Sequence, residues 1–142
     1  MLAQSFMVSA DNAHAVHPNH PEFADPTHGP ILGDGVVLKF NANQRYTTDG
    51  VSAAVFRKIC AGVGVPVQDY CNRADIPGGS TLGHISLTHV SVPTADVGLP
   101  QLAMHSSYET AAVKDVAYLE KAMTAYYSSI LEATDDGGCV IR

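Results

Sequence analysis

Residues 36–72 read VVLKFNANQRYTTDGVSAAVFRKICAGVGVPVQDYCN, and this stretch decides the class of fold. Val36 to Phe40 are apolar apart from Lys39 and suit a strand. Asn41 to Asp49 is polar and turn-like. Asp49 is placed to cap a helix running from Gly50 to Val63, in which Val51, Ala54, Val55, Ile59 and Val63 recur at helical spacing. Pro66 stops that helix, and Val67 to Asn72 reads as the next strand.

The alternation continues on both sides of this unit. Ser5 to Ala10 (SFMVSA) is a short apolar run suited to a buried strand. Residues 11–35 hold four prolines and three glycines and read as one long irregular loop. Inside a compact domain, loops of that length are functional or disordered. Downstream, Ser80 is expected to cap a short helix reaching Val90, and Thr94 to Val97 to form a strand. Gly98 to His105 reads as a strand end or loop. Ser106 to Glu109 carries the capping-box pattern, and the longest helix is expected over Lys114 to Ala133, with Val116, Leu119, Met123, Tyr126 or Tyr127, and Ile130 on its apolar face. Residues 135–142 are expected to be a loose tail. Strands alternating with helices make the fold class α/β, with a mainly parallel or mixed sheet.

Composition narrows the partners. The 142 residues suit one domain, and 46% apolar content argues for a packed core. Charged residues are only 15%, which points to surface buried inside or covered by a partner. A net charge of -6 without a basic patch argues against nucleic acid. No apolar run approaches the roughly 20 residues that cross a bilayer. No leader pattern opens the chain. Three cysteines without a CxxC pair read as reduced thiols, so a cytoplasmic location is expected, with Cys60 a small buried hydrophobe. A strand beginning almost at Met1 suggests that the chain starts inside a larger natural domain.

Four places carry chemistry. Asp11 leaves the first strand where α/β proteins place ligands, and His14, His17 and His20 follow within nine residues. A carboxylate with imidazoles suits zinc, while the same residues also suit a solvated loop with Asp11 capping a turn. His105 precedes the capping box, either at the mouth of the sheet or bonded to backbone. Lys39, among strand hydrophobes, must reach water or find an anion. Asp75 to Gly83 either lets glycine N–H groups approach an oxyanion or is a tight loop and cap; no lysine follows Gly79, which disfavours nucleotide binding.

Four segments in order, SADNAHAVHPNH (9–20), VVLKFNANQRYTTDG (36–50), RADIPGGSTLGHIS (73–86) and DVGLPQLAMHSSYETAAVKD (96–115), resemble the M18 family of zinc aminopeptidases, which includes aspartyl aminopeptidase and aminopeptidase I. The resemblance extends to Leu131 and covers only the C-terminal part of that family's catalytic domain. It implies a three-layer α/β/α metallopeptidase sandwich carrying two zinc ions bridged by a carboxylate. By the same resemblance Asp11 is a ligand of one zinc and His105 of the other. His14, Lys39 and Tyr46 lie along the substrate, and a cationic Lys39 would favour an acidic N-terminal residue. The family's first ligand histidine, bridging aspartate, paired glutamates and dimerisation insert have no counterpart here, so no general base is recognised.

The implied function is a zinc-dependent aminopeptidase removing N-terminal, acidic residues from peptides. Its partners are the peptide, the remainder of the peptidase chain and further copies in a homo-oligomer, with no nucleic acid and no membrane. One ligand per metal falls short of the three protein ligands that a catalytic zinc takes, so the isolated chain is expected to be inactive. The alternative is a non-catalytic structural or interaction module derived from the same fold.

Overall fold

A computed structural model of the chain describes residues 5–80, 82–136 and 138–142. Its elements are β1 (Met7–Ala10), β2 (Ala13–His14), a 3-10 turn (Pro21–Phe23), β3 (Val36–Phe40), α1 (Gly50–Gly62) and β4 (Val67–Cys71). They continue with α2 (Leu82–Leu87), β5 (Thr94–Gly98), β6 (Pro100–Leu102), β7 (Thr110–Ala111), α3 (Val113–Ser128), β8 (Leu131–Ala133) and β9 (Cys139–Ile141). The main sheet has the order β1-β5-β3-β4. β1 runs parallel to β5 and β3 parallel to β4, while β3 and β5 are antiparallel, so the expected α/β class holds with a mixed sheet.

Strand alternation sorts the side chains onto two faces. Val36, Leu38, Ala95 and Val97 point to one face and pack with Ala53, Phe56 and Cys60 of α1 and Ala122 of α3. Val37 joins Ala13, Tyr46 and Tyr70 in a separate cluster. The short α2 lies over Ser9 and Asp96, with the Gly83 N–H donating to Ser9 Oγ at 3.0 Å. Helices therefore cover both faces, as a three-layer arrangement requires.

The cap of α1 forms as its sequence asks. Asp49 Oδ1 accepts from Ser52 N at 2.7 Å, and Ser52 Oγ accepts from Asp49 N at 2.9 Å. The buried face of the helix differs from the expected one. Ser52, Ala53, Val55, Phe56, Ile59 and Cys60 are buried, whereas Val51 is 55% exposed. Phe56 brings more apolar area than any other residue of the helix and turns its own side to the sheet. Cys60 is buried as expected, and desolvation pushes its thiol up to about 12.

Two further expectations are corrected near the end of the chain. The capping box at Ser106 to Glu109 does not form, because Thr110–Ala111 extends as β7 against β6, and α3 begins after it at Val113, within one residue of the expected Lys114. That helix also stops at Ser128 instead of Ala133. The hydroxyls of Ser128 and Ser129 bond back to Thr124 O and Ala125 O, and such back-bonding weakens helix continuation. Residues read from the sequence as helix end and tail pair as the β8–β9 hairpin. The inward side of α3 carries Tyr118, Leu119 and Ala122, and its Val116 is exposed. Buried Asp115 accepts from Gly33 N at 2.7 Å and Gly35 N at 3.0 Å, which ties the long loop to the start of this helix.

Candidate functional site

One cleft of about 510 Å³ opens at the C-terminal ends of β1, β3 and β4. Its walls include Asp11, His14, Lys39, Tyr46 and His105, which come from three separate stretches of sequence. The fold thus brings all five sequence-derived candidates to one place. His17 and His20 reach the same wall, with their rings 5.5 Å apart and His20 stacked on Phe23.

Lys39 finds an anion and does not reach water. It sits on the interior strand β3 and is 1% exposed. Its Nζ lies 3.6 Å from Asp11 Oδ2, donates to the Asn12 carbonyl at 3.5 Å, and stands 4.9 Å over the Tyr46 ring. Burial pulls the ammonium down from its ordinary value, while the carboxylates of Asp11 and Asp96 act the other way. Asp11, in contrast, keeps about half its side chain open to solvent, at 54%.

His14 is held below the ordinary imidazole range, first by burial and then by the positive charges of His105 and Lys39. Both histidines line the same cleft. His105 and Ala103 both occupy the left-handed region, with φ of 67° and 55°. Such backbone is uncommon outside glycine and collects at functional sites. Glu109, released from the capping role, accepts the His105 N–H at 2.6 Å and fixes this turn.

Two wall residues, Tyr70 and Asn72, have no signal in the sequence motifs. Tyr70 pairs in register with Lys39 across β3 and β4, so both point into the cleft. Tyr70 and Tyr46 stand 6.1 Å apart, and Asn72 Nδ2 donates to Tyr70 Oη at 2.9 Å. Asp96 is fully buried and accepts from Thr47 N at 2.6 Å and Thr47 Oγ1 at 2.7 Å, which pins the loop carrying Tyr46. The alternation in VQDYCN was available as a cue to Tyr70, but its partner on β3 was not. Gly79 and Ser80 line the cleft as well. Thr81, in the helix that Ser80 was expected to cap, lies outside the described residues.

The model of the family described as "Aminopeptidase I zinc metalloprotease (M18)" matches residues 1–127. The chain belongs to the M18 aminopeptidase family. The "Probable M18 family aminopeptidase 2" of Azotobacter vinelandii is 48% identical over 131 residues, covering 92% of this chain and 30% of that protein. Ape4, solved in complex with Nbr1, matches with a TM-score of 0.87 and 38% identity over 89% of this chain and 24% of its own. The mApe1 dodecamer of S. cerevisiae matches with a TM-score of 0.79 and 28% identity, over 89% of this chain and 27% of its own. This M18 chain thus spans about 30% of the curated relative's length.

The donors at the cleft agree in kind with the metal in the family's description. Asp11 offers carboxylate oxygen, and His14 and His105 offer ring nitrogen, the types that zinc takes. In number they fall short. No group of three or more His, Cys, Asp or Glu able to hold a metal ion gathers among the described residues. Likewise no helix among them is long and apolar enough to cross a membrane.

Proposed function

We propose that this chain is the C-terminal portion of the catalytic domain of a zinc-dependent aminopeptidase that removes acidic N-terminal residues from peptides in the cytoplasm. Asp11 holds one zinc ion and His105 the other, and the remaining ligands and the general base come from the rest of the peptidase chain. His14 and Tyr46 flank the substrate, and Lys39 draws its acidic side chain. The observation that carries the reading is the cleft, where a half-open carboxylate, two histidines and a buried lysine converge from separate motifs.

Bound zinc supplies Lewis acidity at the scissile carbonyl and lowers the pKa of water. The residues of this chain do the remaining positioning. Lys39 is a point charge held in place by Tyr46 and the Asn12 carbonyl. A substrate carboxylate entering from solvent meets it without the cost of ordering a flexible side chain. The neutral His14 is free to accept or donate one hydrogen bond to the bound amide.

Further copies of the same enzyme are the expected partners, in keeping with the dodecamer formed by the yeast relative. The decisive experiment compares aspartyl and leucyl p-nitroanilides on the full-length aminopeptidase carrying this segment, and on the 142-residue chain alone. Zinc-dependent release with an aspartyl preference in the former, and none in the latter, is the expected result. A full-length protein without zinc-dependent release would leave the non-catalytic module as the reading.

A further inference from the structure

Asp11 sits where the pairing of β1 with β5 hands over to the pairing of β2 with β6. β1 pairs with β5 up to Ala10 opposite Val97, and β2 resumes against β6 at Ala13 opposite Pro100. Between them lie only Asp11 and Asn12, and the register runs on unbroken, with Asp11 N–H donating to Val97 O and Ala13 N–H to Leu99 O, both at 2.9 Å. The Asn12 carboxamide adds two side-chain bonds to this ladder. Its Oδ1 accepts from Leu99 N at 3.2 Å, and its Nδ2 donates to Gln101 Oε1 at 2.5 Å. Gln101 is itself 5% exposed, so the second bond is made out of water, where an unmet partner is costly.

Gly98 completes the arrangement from below. A Cβ at that position would lie 1.9 Å from Asp11 O and 2.8 Å from Asn12 Cα, both backbone atoms that cannot step aside without moving the carboxylate. The Asn12 carbonyl, turned the other way, accepts from Lys39 Nζ at 3.5 Å. One residue therefore grips β6 and the residue that joins it to β5 with its side chain, and meets the buried lysine with its main chain.

We infer that Asn12, clamped to Leu99 and Gln101 over the close approach at Gly98, is a positioning residue that aims the Asp11 carboxylate at its metal. With its carboxamide taken up by Leu99 and Gln101, Asn12 acts through the backbone of its neighbour. The inference rests on the assignment of Asp11 as a zinc ligand. An outer residue that orients a ligand governs metal affinity more than substrate affinity. Loss of the clamp is thus an affinity defect that added zinc repairs, while loss of the ligand is not repaired.

The test uses the full-length aminopeptidase with Asn12→Ala, with Asp11→Ala beside it. Zinc content is read by elemental analysis after dialysis against a zinc buffer, and kcat and KM are read across a zinc titration. In Asn12→Ala, occupancy of one zinc and kcat at limiting zinc should fall by about 10- to 100-fold. KM should stay within about twofold, and excess zinc should restore kcat. Asp11→Ala should remain low at every zinc concentration.

Should Asn12→Ala fail to fold, Gln101→Leu removes the same acceptor and is read the same way, with Gln101→Glu, which keeps an acceptor, expected to retain zinc. Full zinc occupancy and wild-type kcat at limiting zinc in a folded clamp variant overturn the inference. Full occupancy in Asp11→Ala overturns the ligand assignment beneath it. A wild-type enzyme that binds zinc through Asp11 but cleaves no aminoacyl substrate would overturn the peptidase reading alone.

Discussion

The two faces of one sheet solve opposite problems with the same strand. On the α1–α3 face, Val36 and Leu38 of β3 meet Phe56, Cys60 and Ala122 in a dry layer. On the cleft face, the alternate residues Val37 and Lys39 meet Ala13, Tyr46, Tyr70 and the carboxylates of Asp11 and Asp96. The first face gains stability from burial alone, which asks only for apolar volume that fills the space. The second buries an ammonium, and this is tolerable only because anions, a ring face and a carbonyl surround it. Stability resides on one side of the sheet and chemistry on the other, and the two separate at single-residue resolution along Val36 to Phe40.

This separation is open to attack by substitution. The largest effect is expected at Phe56→Ala on the dry face, at about 3–5 kcal/mol of unfolding free energy. Chemical denaturation of the chain measures it, and the ratio of aspartyl to leucyl hydrolysis in the full-length enzyme should not move. On the cleft face, Asp11→Ala or His105→Ala should each remove one zinc and lower kcat beyond about a hundredfold, the upper range for outer-shell partners. Elemental analysis showing both zinc ions retained in either variant would refute that ligand assignment.

A smaller change sharpens the contrast. Lys39→Met should lower the aspartyl-to-leucyl ratio by about tenfold, or roughly 1.4 kcal/mol. Its cost in stability should stay below that of Phe56→Ala, because an apolar side chain of similar length replaces a buried ion. An unchanged ratio would remove Lys39 from the substrate pocket. The smallest effect concerns Cys60, whose thiol burial raises from 9.0 to about 12. A raised value means that the folded state holds its proton longer than the unfolded chain. The associated stability is complete below pH 9 and is lost as pH rises toward 12. Comparing denaturation midpoints of the wild type and Cys60→Ala across that window isolates the contribution. Thiol labelling should reach exposed Cys139 at once and Cys60 only on unfolding.

Much of the fold was legible from residues 36–72, because local signals there agree with one another. The Asp49 cap, the helical period, the stop at Pro66 and the apolar strand runs all ask for the same structure. Legibility failed where two local signals competed. Ser106 to Glu109 satisfies a capping pattern, yet pairing of Thr110–Ala111 with β6 carried the chain past it. Residues 129–133 continue the helical period, yet serine back-bonding and the partner strand β9 took them into a hairpin. In the site, the five candidates came from motifs, whereas Tyr70 and Asn72 lie outside them, and the roles of Asn12 and Asp96 depend on partners 89 and 49 positions away.

By itself the sequence determined the class of fold, the family and the kinds of donor at the cleft. Each of these depends on residue types and local spacing, which a chain carries before it folds. Only the tertiary structure decided that Lys39 is buried against Asp11, that His14 and His105 line one cleft, and that Asn12 bonds Leu99 and Gln101. Charge pairing and desolvation act through space, over a few ångströms between residues far apart in the chain, and no local pattern encodes that distance.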